Sequence, residues 1–170
     1  MRIYRTDELQ VLWDTSRCVH VAYCVQALPG VFNPLARPWI RVENGTTEQI
    51  IDAIERCPTG ALRYVREHGP QEAPPPETSV TPVEDGPLVL RGDLHVLAAD
   101  GETVLHETRL ALCRCGSTEN APFCDNSHRR VGFHSPAMRS AAARDDAESP
   151  ADIAPPQTSS FAEAEAADEG

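Results

Sequence analysis

Six cysteines fall into two sets of three, and each set has a histidine beside it. Cys18, Cys24 and Cys57 form the first set, with His20 between the first two; Cys113, Cys115 and Cys124 form the second, with His128 four residues further on. Thiolate sulfur and imidazole nitrogen are the donors that soft and borderline metals prefer, so each set could hold iron–sulfur or zinc. The run CRCGSTENAPFCDNSH places Cys113, Cys115, Cys124 and His128 within sixteen residues. Its spacing, C-x-C-x8-C-x3-H, departs from the usual zinc-finger intervals, where paired cysteines stand two to four residues apart. A C-x-C pair suits one iron of a binuclear cluster, with Cys124 and His128 on the other. The earlier set reads C-x5-C, then thirty-two residues, then Cys57-Pro58.

The second set resembles the CDGSH (mitoNEET-like) iron–sulfur family, whose pattern is C-x-C-x2-[S/T]-x3-P-x-C-D-G-x-H. Cys113, Cys115, Thr118, Pro122, Cys124, Asp125, Ser127 and His128 match it, over roughly residues 86 to 134. Asn126 stands where the family has glycine, and Asn is the next best residue for a positive φ. The resemblance implies a [2Fe-2S] cluster on three Cys and one His that is redox active, acid labile and in some members transferable. A neutral imidazole in place of a thiolate raises the potential. Protonation of His128 would release iron, so acid lability is expected to act through that residue. Asp125 is expected to cap a short helix after Cys124. Arg129 and Arg130 read as a solvated pair.

The first set resembles the divergent mono-cluster [4Fe-4S] ferredoxin family over about residues 3 to 67. Cys18 and Cys24 have the spacing of the first and third cysteines of C-x2-C-x2-C, with Val21 at the second. Cys57-Pro58 matches the distal ligand, Gly60-Ala61-Leu62 the turn after it, and ALPGVFNP a stretch these ferredoxins share. Three cysteines leave two choices. A [3Fe-4S] cluster needs no more, whereas a [4Fe-4S] cluster needs a fourth ligand, for which His20 is the nearest candidate. The alternative of buried, metal-free thiols is weighed against by the C-P-T-G-A-L ending.

The elements that must position these ligands are short. LQVLWDT (9–15) and ALRYV (61–65) read as strands. TTEQIIDAIERC (46–57) reads as a helix, with a Thr46/Gln49 capping box, an Ile50/Ile51/Ile54 stripe and Pro58 as its stop. LVLRG, LHVLAAD, GETVLHETR and LALC are short β runs, with a hairpin signal at Asp100-Gly101. Trp13, Phe32 and Trp39 read as core. The expected fold class is α+β: a ferredoxin-like iron–sulfur domain over 1–68, a Pro-rich linker over 69–82, a β-rich CDGSH-type domain over 83–134 and a disordered acidic tail over 135–170. The tail carries two arginines against eight acidic residues, and its FAEAEAADE run could form a short helix.

Composition narrows the function further. The 170 residues carry 15 basic side chains, all arginine, against 26 acidic ones, for a formal net charge of −11. That balance argues against nucleic acid or an anionic membrane as partner. No apolar run is long enough to span a bilayer, and the first residues do not form a signal peptide, so a reducing cytoplasm and unpaired cysteines are expected. Asp52 and Glu55 read as the wet face of a helix, the glycines form no phosphate-binding fingerprint, and Ser16 and Ser127 lack a spaced His–carboxylate set. No enzyme is therefore expected. The sequence reads as an iron–sulfur electron carrier or redox sensor working with a basic partner such as a reductase. A cluster store that feeds an apo-protein acceptor and a zinc-stabilised interaction module are the alternatives. The family's strand-sharing dimers raise a homodimer, or a first half that covers the same surface.

Overall fold

Two three-stranded antiparallel sheets organise the chain in a computed structural model that describes residues 1–136 and Met138. The readings of the tail from residue 139 onward lie outside the described residues. The first sheet has the order β1 (Arg2–Arg5), β2 (Leu9–Trp13), β3 (Leu62–Arg66). Alternation along β2 puts Leu9 and Val11 inward, and Val11 pairs with Tyr64 across to β3. Helix α2 (Thr47–Glu55) closes this sheet, and its capping box forms as the sequence predicts: the Gln49 N–H donates to Thr46 Oγ1, and the Thr46 N–H donates to Gln49 Oε1. Ile50, Ala53 and Ile54 bury its apolar face against Leu9, Val11, Phe32, Ile40 and Leu62. Phe32 is wholly buried, while Trp13 and Trp39 are packed at the edge of this core. A short helix α1 (Tyr23–Ala27) carries Cys24, and sequence reasoning assigned no element there.

The second sheet has the order β4 (Ser79–Pro82), β5 (Leu88–Leu97), β6 (Thr103–Leu112). Two corrections arise. LVLRG and LHVLAAD are one strand, β5, interrupted by a register shift between Arg91 and Leu94 rather than by a turn. The 69–82 segment is not a free tether. Its last four residues are β4, a sheet edge where Pro82 needs no ladder donor. Upstream of β4, Gln71 hydrogen-bonds the Arg66 backbone in both directions and Glu72 pairs with Arg109. Proline content excluded a helix but did not exclude an ordered strap.

Candidate metal centres

The second set is assembled at the end of β6. Cys113 follows directly from that strand, and the returning chain lies beside it: the Cys113 N–H donates to the Pro122 carbonyl and the Cys124 N–H to the Ala111 carbonyl, each at 2.9 Å. Between them the loop is held by side chains. Thr118 Oγ1 donates to the Phe123 carbonyl at 2.7 Å, and the Asp125 carboxylate accepts from the Glu119 and Ser127 amides. The cap position of helix α3 (Ser127–Arg130) is Asn126, not Asp125, and it has φ 74° as its glycine-like role requires. Asp125 nonetheless supplies the side-chain acceptor for the Ser127 amide, the first of that helix, and through the Glu119 amide ties the loop to it. Hydrogen bonding from Ser127, then from the Glu119 amide, holds its carboxyl far below the usual range. Arg129 and Arg130 are both exposed, as expected of a solvated pair, and Arg130 also donates to Ser127 Oγ.

The four donors fall into two pairs. Cys113 Sγ lies 3.6 Å from Cys115 Sγ, and Cys124 Sγ lies 3.4 Å from His128 Nδ1. Two thiolates about 2.3 Å from one tetrahedral metal stand about 3.7 Å apart, and a thiolate with an imidazole about 3.5 Å. Each pair thus has the spacing of two ligands on one metal. No three of these four have their ligand atoms all within 4.8 Å of one another. A single tetrahedral ion needs all four close together, so the arrangement suits two neighbouring metal atoms better than one zinc. Cys124 and His128 are buried. Burial opposes the ionised form of Cys113, but hydrogen bonds from Cys115 and from nearby backbone amides outweigh it and lower its pKa. Burial first, then Arg129, holds His128 below its ordinary value, which favours the neutral, ligating form.

The first set surrounds a cavity of about 690 Å³ lined by Cys18, Cys24, Cys57 and His20 together with Trp13 and Trp39. Among the described residues the buried Nε1 atoms of both tryptophans have no hydrogen-bond partner. These two rings therefore combine the expected core role with a wall of the site. His20 Nδ1 lies 3.8 Å from Cys18 Sγ. His20 and Ala22 both have positive φ, at 52° and 64°. A non-glycine residue adopts that region at a cost of about 1–2 kcal/mol, and such backbone clusters at ligand loops. Burial, then the neighbouring Cys57 thiol, pushes Cys24 up to about 11.

The two sites share one scaffold. Val19, between Cys18 and His20, is buried in a cluster with Ala111 and Cys124. Asn126 Nδ2 donates to the Val19 carbonyl at 2.7 Å, and Asn120 Nδ2 to the Ser16 carbonyl at 2.9 Å. Arg17 stacks over Phe123, with its guanidinium carbon 5.2 Å from the ring centre, and is paired with Glu107 at 2.8 Å. Arg109 of β6 reaches into the first half and donates to the carbonyls of Ile54, Cys57 and Leu62. A cation at the carbonyl end of α2 is favourable in itself, and here it also fixes the backbone of Cys57. Gly60 (φ 64°) is needed beside it, because a Cβ there would lie 2.7 Å from both the Arg109 carbonyl and Arg17 Nη2. Sequence reading missed Arg17, Glu107, Arg109 and Asn120. Isolated charged or amide residues carry no periodic signal of long-range pairing. Only the departure at Asn126 marked its position.

Both halves thus present candidate metal-ligand sets on small, largely β frameworks, and the chain is an iron–sulfur-binding protein. Residues 4–67 match the family described as divergent 4Fe-4S mono-cluster, and residues 85–129 match the iron-binding zinc finger of CDGSH type. The uncharacterized protein YjdI of Escherichia coli (strain K12) is 32% identical over 63 residues, which cover 37% of this chain and 83% of that relative. YjdI of Escherichia coli O157:H7 matches to the same extent. The chain belongs to the divergent 4Fe-4S mono-cluster family through its first half, and a CDGSH-type segment follows. No helix among the described residues is long and apolar enough to cross a membrane.

Proposed function

We propose that this protein is a two-cluster electron carrier. Cys18, Cys24, Cys57 and His20 hold a [4Fe-4S] cluster. Cys113 with Cys115, and Cys124 with His128, hold the two irons of a [2Fe-2S] cluster. When bound, such clusters supply one-electron exchange with little movement of the protein. The observation that carries the reading is the burial of Val19, flanked by Cys18 and His20, in one apolar cluster with Ala111 and Cys124. The Val19 carbonyl also receives the Asn126 amide two residues beyond Cys124, so a hydrogen bond and a shared apolar cluster link the two ligand loops. A store that hands over either cluster independently has no need of this link.

The protein's share of the work is positional. Arg17 and Arg109 keep the ligand loops fixed through buried ion pairs, the tryptophan walls limit water, and a neutral His128 is ready to ligate. One electron enters from a reductase-class donor and one leaves to an acceptor. The net charge of −11 steers the chain toward a basic partner, with a salt-dependent rate. No catalytic role is assigned to any residue. In this reading the chain works in a reducing cytoplasm.

Iron and sulfide analysis of the purified protein is expected to give about six irons per chain. EPR of the fully reduced protein should show signals broadened by magnetic interaction. Cys124→Ala should remove the second set's iron and sharpen what remains. Colourless protein holding only zinc, or two signals that do not interact, would overturn the proposal. Loss of colour to an added apo-ferredoxin without reductant would replace it with cluster transfer.

A further inference from the structure

The exposed end of the β5–β6 hairpin carries three donor side chains that neither cluster site uses. The register shift after Arg91 re-aims β5, with Gly92 (φ 153°) packed so tightly on Thr78 that a Cβ would lie 2.4 Å from Thr78 Oγ1. Beyond the shift His95 pairs directly with His106. Asp93 stands two residues before His95 and so shares its face of the sheet. The two imidazole rings stack with centroids 4.3 Å apart and planes 17° from parallel. Asp93 Oδ1 lies 2.5 Å from His106 Nε2 and 3.7 Å from His95 Nε2. One ligand atom from each of the three lies within 4.8 Å of the others, the one such trio among the described residues.

We propose that Asp93, His95 and His106 form a third metal site, one for a borderline divalent transition cation of the zinc class. Two imidazoles and a carboxylate are the donors such ions take, at about 2.0–2.2 Å. Ligand atoms on one tetrahedral ion stand about 3.4 Å apart, between the two distances seen here, so small side-chain rotations suffice. A hydrogen bond from His106 keeps the Asp93 carboxyl below its ordinary value, and hence ionised at neutral pH. Three protein donors leave a fourth position for water or a ligand from another molecule. The bound ion cross-links β5 to β6 at the point where the His95–His106 stack and the Asp93–His106 pair already join their side chains. The site is separate from the iron chemistry. His106 precedes Cys113 by seven residues of nearly continuous strand, about 23 Å. All three side chains are at least half exposed, so their replacement does not threaten the core.

The test is a zinc titration of the full-length, cluster-loaded protein by calorimetry, with visible absorbance recorded throughout. The parent is expected to take up one zinc per chain with its colour unchanged. His95→Gln and His106→Gln should abolish that uptake. Asp93→Asn should weaken it at least about tenfold, the lower end of what even an outer-shell partner of a metal costs. Equal uptake by His106→Gln and parent would place the zinc elsewhere and overturn the proposal, as would no uptake by the parent. Zinc uptake that bleaches the colour would mean displacement of iron and would also overturn it. Because the readout is zinc binding, the outcome is independent of whether the clusters carry electrons.

Discussion

Two thiols of opposite character show how local surroundings set reactivity. Cys113 sits among hydrogen-bond donors that lower its pKa, whereas burial and the neighbouring thiols push Cys24 up to about 11. The thiolate is the reactive form. In protein stripped of iron, iodoacetamide at about pH 8 should therefore modify Cys113 well before Cys24. The sign follows from the directions: the gap is widest between the two pKa values and closes as pH rises toward the Cys24 value. Mass spectrometry of time-resolved alkylation reads it, and equal rates at the lower pH would refute this account of the two environments. Asn126 belongs to the same scale. The replacement of glycine keeps the positive φ and adds an amide that reaches across to Val19.

Strand β6 is the element on which both sites depend. One end delivers Cys113, and its middle sends Arg109 under α2 and Glu107 toward Arg17 and Arg63. The Arg109 side chain is 2% exposed and its partner Glu72 is 15% exposed. Removal of one member of such a pair strands the other and several carbonyls. Arg109→Met should thus cost about 3–5 kcal/mol, measured by denaturant unfolding. The loss should appear in the iron content of the first site as well, because Cys57 shares the contact. A variant with full stability and full iron would show that the arginine is a bystander. The strap from Gln71 to Pro82 acts here too, since its glutamate completes the charge balance and its last residues complete the sheet.

At the scale of the whole molecule, neither half is large enough to depend on an apolar core alone. Buried ion pairs and the Val19 contact join them, so they should unfold as one unit. Thermal unfolding followed separately by visible absorbance and by far-ultraviolet circular dichroism should give coincident transitions. Iron removal should lower the second signal's midpoint by several degrees or more, since ligand binding to the native state is itself stability. Two well-separated transitions would show that the halves are independent.

The candidate ligand residues stood out in the sequence because coordination chemistry constrains both donor type and interval. Cys113, Cys115, Cys124 and His128 had to be local to one loop, and Cys57-Pro58 had to end a helix. Helix α2 was equally legible, since its capping box and isoleucine stripe are short-range signals. The placement of one ligand set against the other was not legible. It rests on Arg17, Asn120, Asn126, Glu107 and Arg109, whose partners lie far along the chain and follow no repeat. The facing of His95 and His106 was hidden for a related reason. It needs the β5–β6 register, and a shift near Gly92 sets that register in three dimensions, where no spacing along the chain records it.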